Sequence, residues 1–448
     1  MASTHLYRTE SASNRRTWTW SGWIKRSKLD STQIIMACSY DSSNRGYLYF
    51  SGGNVIGWGE DGGSVNIYTT RKFRDTSAWY HIVLANDTTQ ATASNRMKLY
   101  VNGEQVALDG GSQPSQNYQL FFNIAGGYIP YLGTRAGQSP DYFDGSMSHV
   151  AHIDGTQELP TIFGETDSTT GEWKIKTTIT PSSGWGTNGY HILVDGNSGT
   201  DQSGQSNSWT VGSGTLTKTE DNPSNVFATL SPDILPRNSG GTISNGNLFF
   251  GTSAAQWTTE SSAFGIANGK YYFEVKLKDN GGDRRFRWGL QKNAEITKTG
   301  NNKVIGGTDN NAIGYKTEGE GATQGGYFIN QTGTTMSDGD INENNAIYGF
   351  AIDLDNQRMY GHFNGTWFHS GNPSAGSGGI DVSSFYTVGE PLFPSFTTHN
   401  SNIEINFGNG YFGTTAVASA GTNASGNGIF EYNVPTGYTA LSTKGLNL

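Results

Sequence analysis

Short stretches of alternating apolar and polar residues, each closed by Gly, Asn or Asp, run through this chain in two separate series. The first is WTWSGWIKR (Trp18–Arg26), AWYHIVLAND (Ala78–Asp87), RMKLYVNGEQV (Arg96–Val106) and YFDGSMSHVAHID (Tyr142–Asp154). The second is GKYYFEVKL (Gly269–Leu277), AIYGFAIDLDNQRMYGHFNGTWF (Ala346–Phe368), PLFPSF (Pro391–Phe396) and IEINFG (Ile403–Gly408). A period of two residues is the signature of strands with one buried face, and turn residues at such intervals write sandwiches. The pattern predicts an all-β chain of two β-sandwich domains in tandem.

Composition decides whether such a chain folds. Charged residues are 15% and Gly, Asn, Ser and Thr abound, which by itself suits disorder, but 11 Trp, 22 Tyr and 22 Phe supply the cores that disordered chains lack. The net charge of −9 argues against nucleic acid as a partner, since that binding needs a basic face to displace counterions. No long apolar run spans or inserts into a membrane, and the first residues, MASTHLYRTESASNRR, have no apolar signal segment. A lone cysteine, Cys38, excludes an internal disulfide and reads as a small buried residue.

Along the first series, Trp18, Trp20, Gly22 and Ile24 share one strand face, and two tryptophans there anchor a core. Asn102–Gly103 is the strongest hairpin signal in the chain. Leu159–Phe163 is the one plausible helical turn. The Gly/Ser/Thr/Lys/Asp-rich stretch at 214–225 divides the chain into domains at 1–213 and 226–448. In the second domain Tyr271, Phe273, Val275 and Leu277 alternate with Tyr272, Glu274, Lys276 and Lys278, and the tail from Gly428 is expected to pack back on the sandwich.

On these strings the chain resembles two known families. Residues 1–213 are similar to the concanavalin-A/laminin-G-like jelly rolls, through TWSGWIKR, WYHIVLANDTT, RMKLYVNGEQV, YFDGSMSHVAHIDGTQELP, GYHILV and the D-x-S-G-x-x-N loop at Asp201–Asn207. Residues 226–448 resemble a SPRY-like sandwich, through GKYYFEVKL, YGFAIDLDNQRMYGHFNGTW, PLFPSF and IEINFG. The pairing, with the join FATLSP…TISNGNL, is similar to virion surface proteins of marine tailed bacteriophages. The resemblance implies binding rather than catalysis, on a tail fibre, spike or head fibre. The sequence shows neither an N-terminal tail adaptor nor a heptad stalk, so a head-decorating protein or short spike stays open.

Jelly rolls of this type include glycoside hydrolases, whose retaining members need two carboxylates about 5 Å apart. The nearest match to the acidic signature E-x-D-x-x-E is Glu165–Thr166–Asp167, which lacks the last acid. Asp353 and Asp355 read as a strand running into a turn. The histidines are scattered, and His149 and His152, three apart on a strand, point to opposite faces. No catalytic residue and no metal site is assigned; calcium on loop acids such as Asp141/Asp144, Glu60/Asp61 or Asp338/Asp340 with Glu343 is the sole cofactor considered. For ligand binding, GWGEDGG (Gly57–Gly63) offers Trp58 as a stacking face beside Glu60 and Asp61, the alternative being that Trp58 is core. A second candidate is the edge formed by Trp367 and His369 near Tyr386.

The function expected is therefore that of a non-enzymatic bacteriophage virion surface protein that binds host cell-surface glycans or proteins, is exposed on the particle after assembly in the host cytoplasm, and forms homo-oligomers, with a trimer as the working expectation. The alternatives are a structural capsid-decoration or tail component that binds other virion proteins, and a glycan depolymerase.

Overall fold

The computed structural model describes residues 3–109, 111–135, 141–194, 196, 198–232, 241–252, 257–278, 285–293, 304–307, 311–317, 324–341 and 343–447. It is all-β, built as tandem β-sandwiches, and divides into two compact units, Met1–Lys218 and Thr219–Leu448.

In the first unit one sheet runs, in spatial order, Thr210–Ser213, His5–Tyr7, Ile129–Leu132, Gln33–Ser39, Arg45–Phe50, Ile56–Asp61, Asn66–Tyr68. The other runs Tyr190–Ile192, Gly145–Asp154, Thr17–Arg26, Tyr80–Asp87, Met97–Val101, Glu104–Gln105. Alternation settles what lies between them. Trp18, Trp20 and Ile24 meet Tyr80, Ile82, Leu84, Met97, Leu99 and Val101 from one sheet and Met36, Cys38, Leu48, Phe50, Ile56 and Trp58 from the other. Asn102 and Gly103 both take positive φ, 51° and 83°, the combination a tight two-residue hairpin needs between Val101 and Glu104. Residues 160–185 cover the outer face of the second sheet: Phe163, Ile162, Ile179 and Trp185 pack on Val83, Ala85, Ala151 and Ile153.

The second unit also has two main sheets. The larger runs Gly241–Ser244, Phe249–Thr252, Asn402–Asn406, Lys270–Lys278, Ile347–Asp353, Arg358–Phe363, Thr366–Trp367; Ile380–Asp381 pairs with Arg358 and Met359, and Thr439–Ala440 pairs in parallel with Tyr271 and Tyr272. The smaller runs Trp257–Ser261, Leu392–His399, Arg285–Lys292, Ala312–Lys316, Gln324–Ile329, Thr332–Asp340. Tyr271, Phe273, Val275 and Leu277 point into the inter-sheet core with Trp288, Tyr348, Phe350 and Phe396. Their alternates face the other way. Tyr272, Ala351 and Tyr360 are capped there by Phe430, Val434 and Tyr438 of the C-terminal segment, which makes a second small core. No helix among the described residues is long and apolar enough to cross a membrane.

Candidate functional site

The outer face of the first unit's larger sheet is lined with tyrosine. Tyr7, Tyr131, Ala37, Tyr47, Gly59 and Asn66 are successive cross-strand partners, one from each of six strands. A second row beside it pairs Ile34, Tyr49, Gly57 and Tyr68. Each tyrosine faces outward because its strand neighbour is core: Leu6, Leu132, Leu48, Phe50 and Ile67 all lie in the inter-sheet cluster. Tyr7 is exposed, and Tyr47, Tyr49, Tyr68 and Tyr131 are half-buried.

The glycines between them are there for the rings. A Cβ on Gly59 would sit 3.2 Å from the Tyr47 ring, and one on Gly57 would sit 3.0 Å from Tyr49 and 2.8 Å from the Ile67 carbonyl oxygen. Tyr47 and Tyr49, with centroids 5.4 Å apart, lie across this gap. Polar groups frame Tyr47. Its hydroxyl donates to Asp61 Oδ1 at 3.2 Å, and the Arg135 guanidinium lies 4.7 Å from its centroid. Asp61 accepts from Arg45 Nε at 2.6 Å, and Arg135 pairs with Asp141 at 2.7 Å and reaches Asp61 at 3.7 Å. Flat aromatic surface beside fixed donors and acceptors is an arrangement that recognises hydroxylated rings and polar protein surface alike.

Of the three residues expected in GWGEDGG, this face includes Asp61 alone. Trp58 is a correction: it is fully buried, its ring 5.5 Å from that of Trp18. It pairs with Leu48 and Ile67 on the inward register, so it has no free face to stack on. Glu60 shares that inward side. It accepts the Phe121 N–H at 3.0 Å and the Tyr118 hydroxyl at 2.9 Å, and burial pushes its pKa up to about 7. The tyrosines were missed, although RGYLYF (Arg45–Phe50) carries the signal: Tyr47 and Tyr49 alternate with two large apolar residues.

In the second unit Trp367 lines an open groove of about 630 Å³. One wall is Trp367 with residues 370–374, the other residues 433–436 with Thr422. Trp367 is half-buried and meets the His362 ring edge-on at 4.9 Å. The walls are tied where Thr436 N–H donates to Ser374 Oγ at 2.9 Å. His369 stands outside this lining, against Tyr327 at 5.6 Å. Tyr386 is a second correction. It is 5% exposed in the inter-sheet core, its hydroxyl donating to the Ala267 carbonyl, while Trp367 packs on the opposite face of its sheet.

Under the C-terminal wall lies a buried polar chain. Gly365 N–H donates to His362 Nδ1 at 3.2 Å, which leaves the proton on Nε2. Nε2 then donates to Tyr272 Oη at 2.7 Å, and Tyr272 donates to Glu274 Oε1 at 2.9 Å. Glu274 also accepts the backbone N–H groups of Glu431 and Tyr432, at 2.9 and 2.8 Å. Burial raises its pKa to about 7 and lowers that of His362 to about 3.

The groups that resemble catalytic ones are committed elsewhere. Ser21 Oγ is 2.8 Å from His81 Nε2, but Trp173 Nε1, which only donates, occupies His81 Nδ1 at 3.0 Å. The proton therefore sits on Nε2, and the imidazole donates to the serine instead of taking its proton. Glu165 and Asp167 share Lys174, at 3.5 and 3.1 Å. Asp353 is buried, receives Asn356 N–H at 2.9 Å and pairs with Lys270 at 2.8 Å. Among the described residues no group of three or more His, Cys, Asp or Glu is placed to hold a metal ion. Of the acids considered for calcium, Asp61 and Asp141 face arginines and Glu60 points inward; the side chains of Asp338 and Asp340 lie outside the described residues.

Comparison with known proteins places part of this chain. Residues 3–163 match the concanavalin A-like lectin/glucanases superfamily. No curated protein matches the chain. Solved structures to which it is similar include the PSpry domain of TRIM65, at 12% identity over 40% of this chain and 91% of that one, with a TM-score of 0.29. The SPRY domain of human HERC1 is similar at 11% identity, over 39% and 96%, with a TM-score of 0.29. The native heptameric SAP-like pentraxin from Limulus polyphemus is similar at 17% identity, over 35% and 72%, with a TM-score of 0.28.

Proposed function

We propose that this chain is a non-enzymatic binding protein on the surface of a bacteriophage particle, and that the tyrosine face of its first unit holds a glycan of the host cell surface. The lectin-like superfamily match over residues 3–163 supports a binding role. The observation that carries the reading is the pair of cross-strand rows, in which Tyr7, Tyr131, Tyr47, Tyr49 and Tyr68 are spaced by Ala37, Gly59 and Gly57. Small residues between rings leave flat faces on which sugar rings stack, and Asp61 and Arg135 stand beside Tyr47 to take hydroxyl groups. The saturated Ser21–His81 and Glu165–Lys174–Asp167 sets favour passive binding over bond cleavage. Placement on a virion is supported by the succession of the two strand series and the join FATLSP…TISNGNL between them.

Many copies on one particle turn weak single sites into firm attachment. The test is adsorption of the purified chain, displayed multivalently on beads, to host cells and to a glycan array. Retention is expected, and the double variant Tyr47→Ala/Tyr49→Ala is expected to lose about tenfold or more in affinity, since aromatic contacts are worth about 0.5–1.5 kcal/mol each. Absence of retention on every surface, or retention untouched by the double variant, removes the assignment.

A further inference from the structure

We propose that the groove of the second unit is a separate saccharide site, taking an uncharged sugar against Trp367. This rests on the reading of the chain as a binding protein but not on the tyrosine face. The lining decides the ligand's charge. Trp367, Asn372, Ser374, Thr422, Asn433 and Thr436 line the groove with prolines, glycine, valine and serine, and no ionisable side chain is among them. A charged ligand would find no countercharge in this lining.

The amides decide its chemistry. Asn433 Oδ1 accepts from Thr422 N–H at 2.7 Å and from Thr422 Oγ1 at 3.0 Å. Asn372 Oδ1 accepts from Ala375 N–H at 3.1 Å. Each side chain is thereby fixed by its oxygen, and its NH₂ group has no partner among the described residues. Two amides held by their oxygens in the lining of one groove, beside an indole ring, suit a ligand rich in hydroxyl oxygens. A peptide adding to a sheet edge would need a row of open backbone groups, whereas the strand here, Thr366–Trp367, has two residues.

The site is also built before a ligand arrives. His362 holds the indole edge-on at 4.9 Å. His369 and Ser370 both take positive φ, 54° and 50°, where the chain doubles back between Trp367 and Asn372. Ser374 ties one wall to the other, and Glu274 fixes the backbone at Glu431 and Tyr432, just before Asn433. A preformed groove loses little ordering entropy on binding.

The test is hydrogen-exchange mass spectrometry and calorimetry on the full chain with a panel of uncharged tri- to pentasaccharides of gluco, manno, galacto and xylo configuration. At least one sugar is expected to protect both 366–374 and 433–436, and Trp367→Ala to weaken that binding about two- to tenfold, by the worth of a stacked aromatic ring. Should Trp367→Ala fail to fold, Asn372→Ala/Asn433→Ala at the exposed rim carries the same expectation. Protection confined to 45–61 leaves the tyrosine face standing and overturns this proposal; protection confined to the groove does the reverse. The proposal is also overturned if no sugar of the panel protects the groove, if the variants bind unchanged, or if an Asn/Ser/Thr-rich peptide protects the groove and no sugar does.

Discussion

Glu274 accepts the backbone N–H of Tyr432 at 2.8 Å, across 158 positions of sequence. The same carboxylate accepts Glu431 N–H at 2.9 Å and the Tyr272 hydroxyl at 2.9 Å, so one side chain fastens the C-terminal segment to the outer face of the sheet. An amide in its place turns one acceptor into a donor facing another donor. Glu274→Gln is expected to destabilise the second unit by about 1–3 kcal/mol, the cost of an unsatisfied buried polar group. Urea unfolding measures it, and limited proteolysis is expected to cut sooner within 419–436. A change within about 0.5 kcal/mol, the range of an ordinary surface substitution, would mean that other contacts hold the segment.

Gly57→Ala tests the tyrosine face without removing a ring. Glycine weakens a strand, so alanine ordinarily gains stability there. Here the new methyl group would lie 2.8 Å from the Ile67 carbonyl oxygen and 3.0 Å from Tyr49. The expected outcome is a loss of about 1–3 kcal/mol from overpacking, together with weaker glycan adsorption as Tyr49 is displaced. A more stable variant with unchanged adsorption would show that the ring does not depend on the gap.

Trp58 separates core from surface. Its ring is fully buried against Trp18, so Trp58→Ala is expected to cost about 3–5 kcal/mol in urea unfolding. Trp58→Phe, which keeps an aromatic ring, is expected to adsorb glycan as the parent chain does once folded. Lost adsorption at unchanged stability would return Trp58 to the binding surface.

Buried carboxyls and buried imidazoles oppose each other in their effect on stability against pH. Burial raises Glu10, Glu60 and Glu274 to about 7, so the folded chain holds three protons that the unfolded chain releases between pH 4.5 and 7. These groups therefore stabilise the fold as pH falls through that window. Burial lowers His81, His152 and His362 to about 3 and His191 to about 4, so below pH 6.5 the unfolded chain takes up protons that the folded chain refuses. These destabilise the fold as pH falls. The two sets offset each other from about pH 6.5 to 4.5; below that the imidazole loss continues, and Asp167, held low by the N–H groups of Thr169 and Thr170, adds to it. Thermal melting is expected to be nearly level from pH 7 to 5 and to fall steeply below about pH 4.5. A Tm that climbs steadily from pH 5 to 8 would contradict the balance.

Local pattern carried most of the architecture. A period of two residues placed Trp18, Trp20 and Ile24 on one face, and the core receives all three. Asn102–Gly103 specified its hairpin because few other pairs tolerate positive φ twice in succession. The tail was readable as a segment that packs back, since Phe430, Val434 and Tyr438 are too apolar to leave in water. Trp58 went the other way. Its flanking glycines look like an exposed loop, yet they are small because Tyr47 and Tyr49 lie across them, and the tryptophan between them points inward.

Alternation along a strand is a local property, fixed by backbone geometry, so the sequence alone determined the all-β class, the strands of the two alternating series and which of their residues share a face, but not that GWGED lies in the strand Ile56–Asp61. It is blind to which face meets the partner sheet and to what a distant segment brings alongside. Tertiary packing decided that Tyr47 and Tyr49 face out while Trp58 and Tyr386 are enclosed. It also decided that Trp367 shares a groove with Asn433, because the hydrogen bonds and ring contacts that join those walls form between residues far apart in the chain.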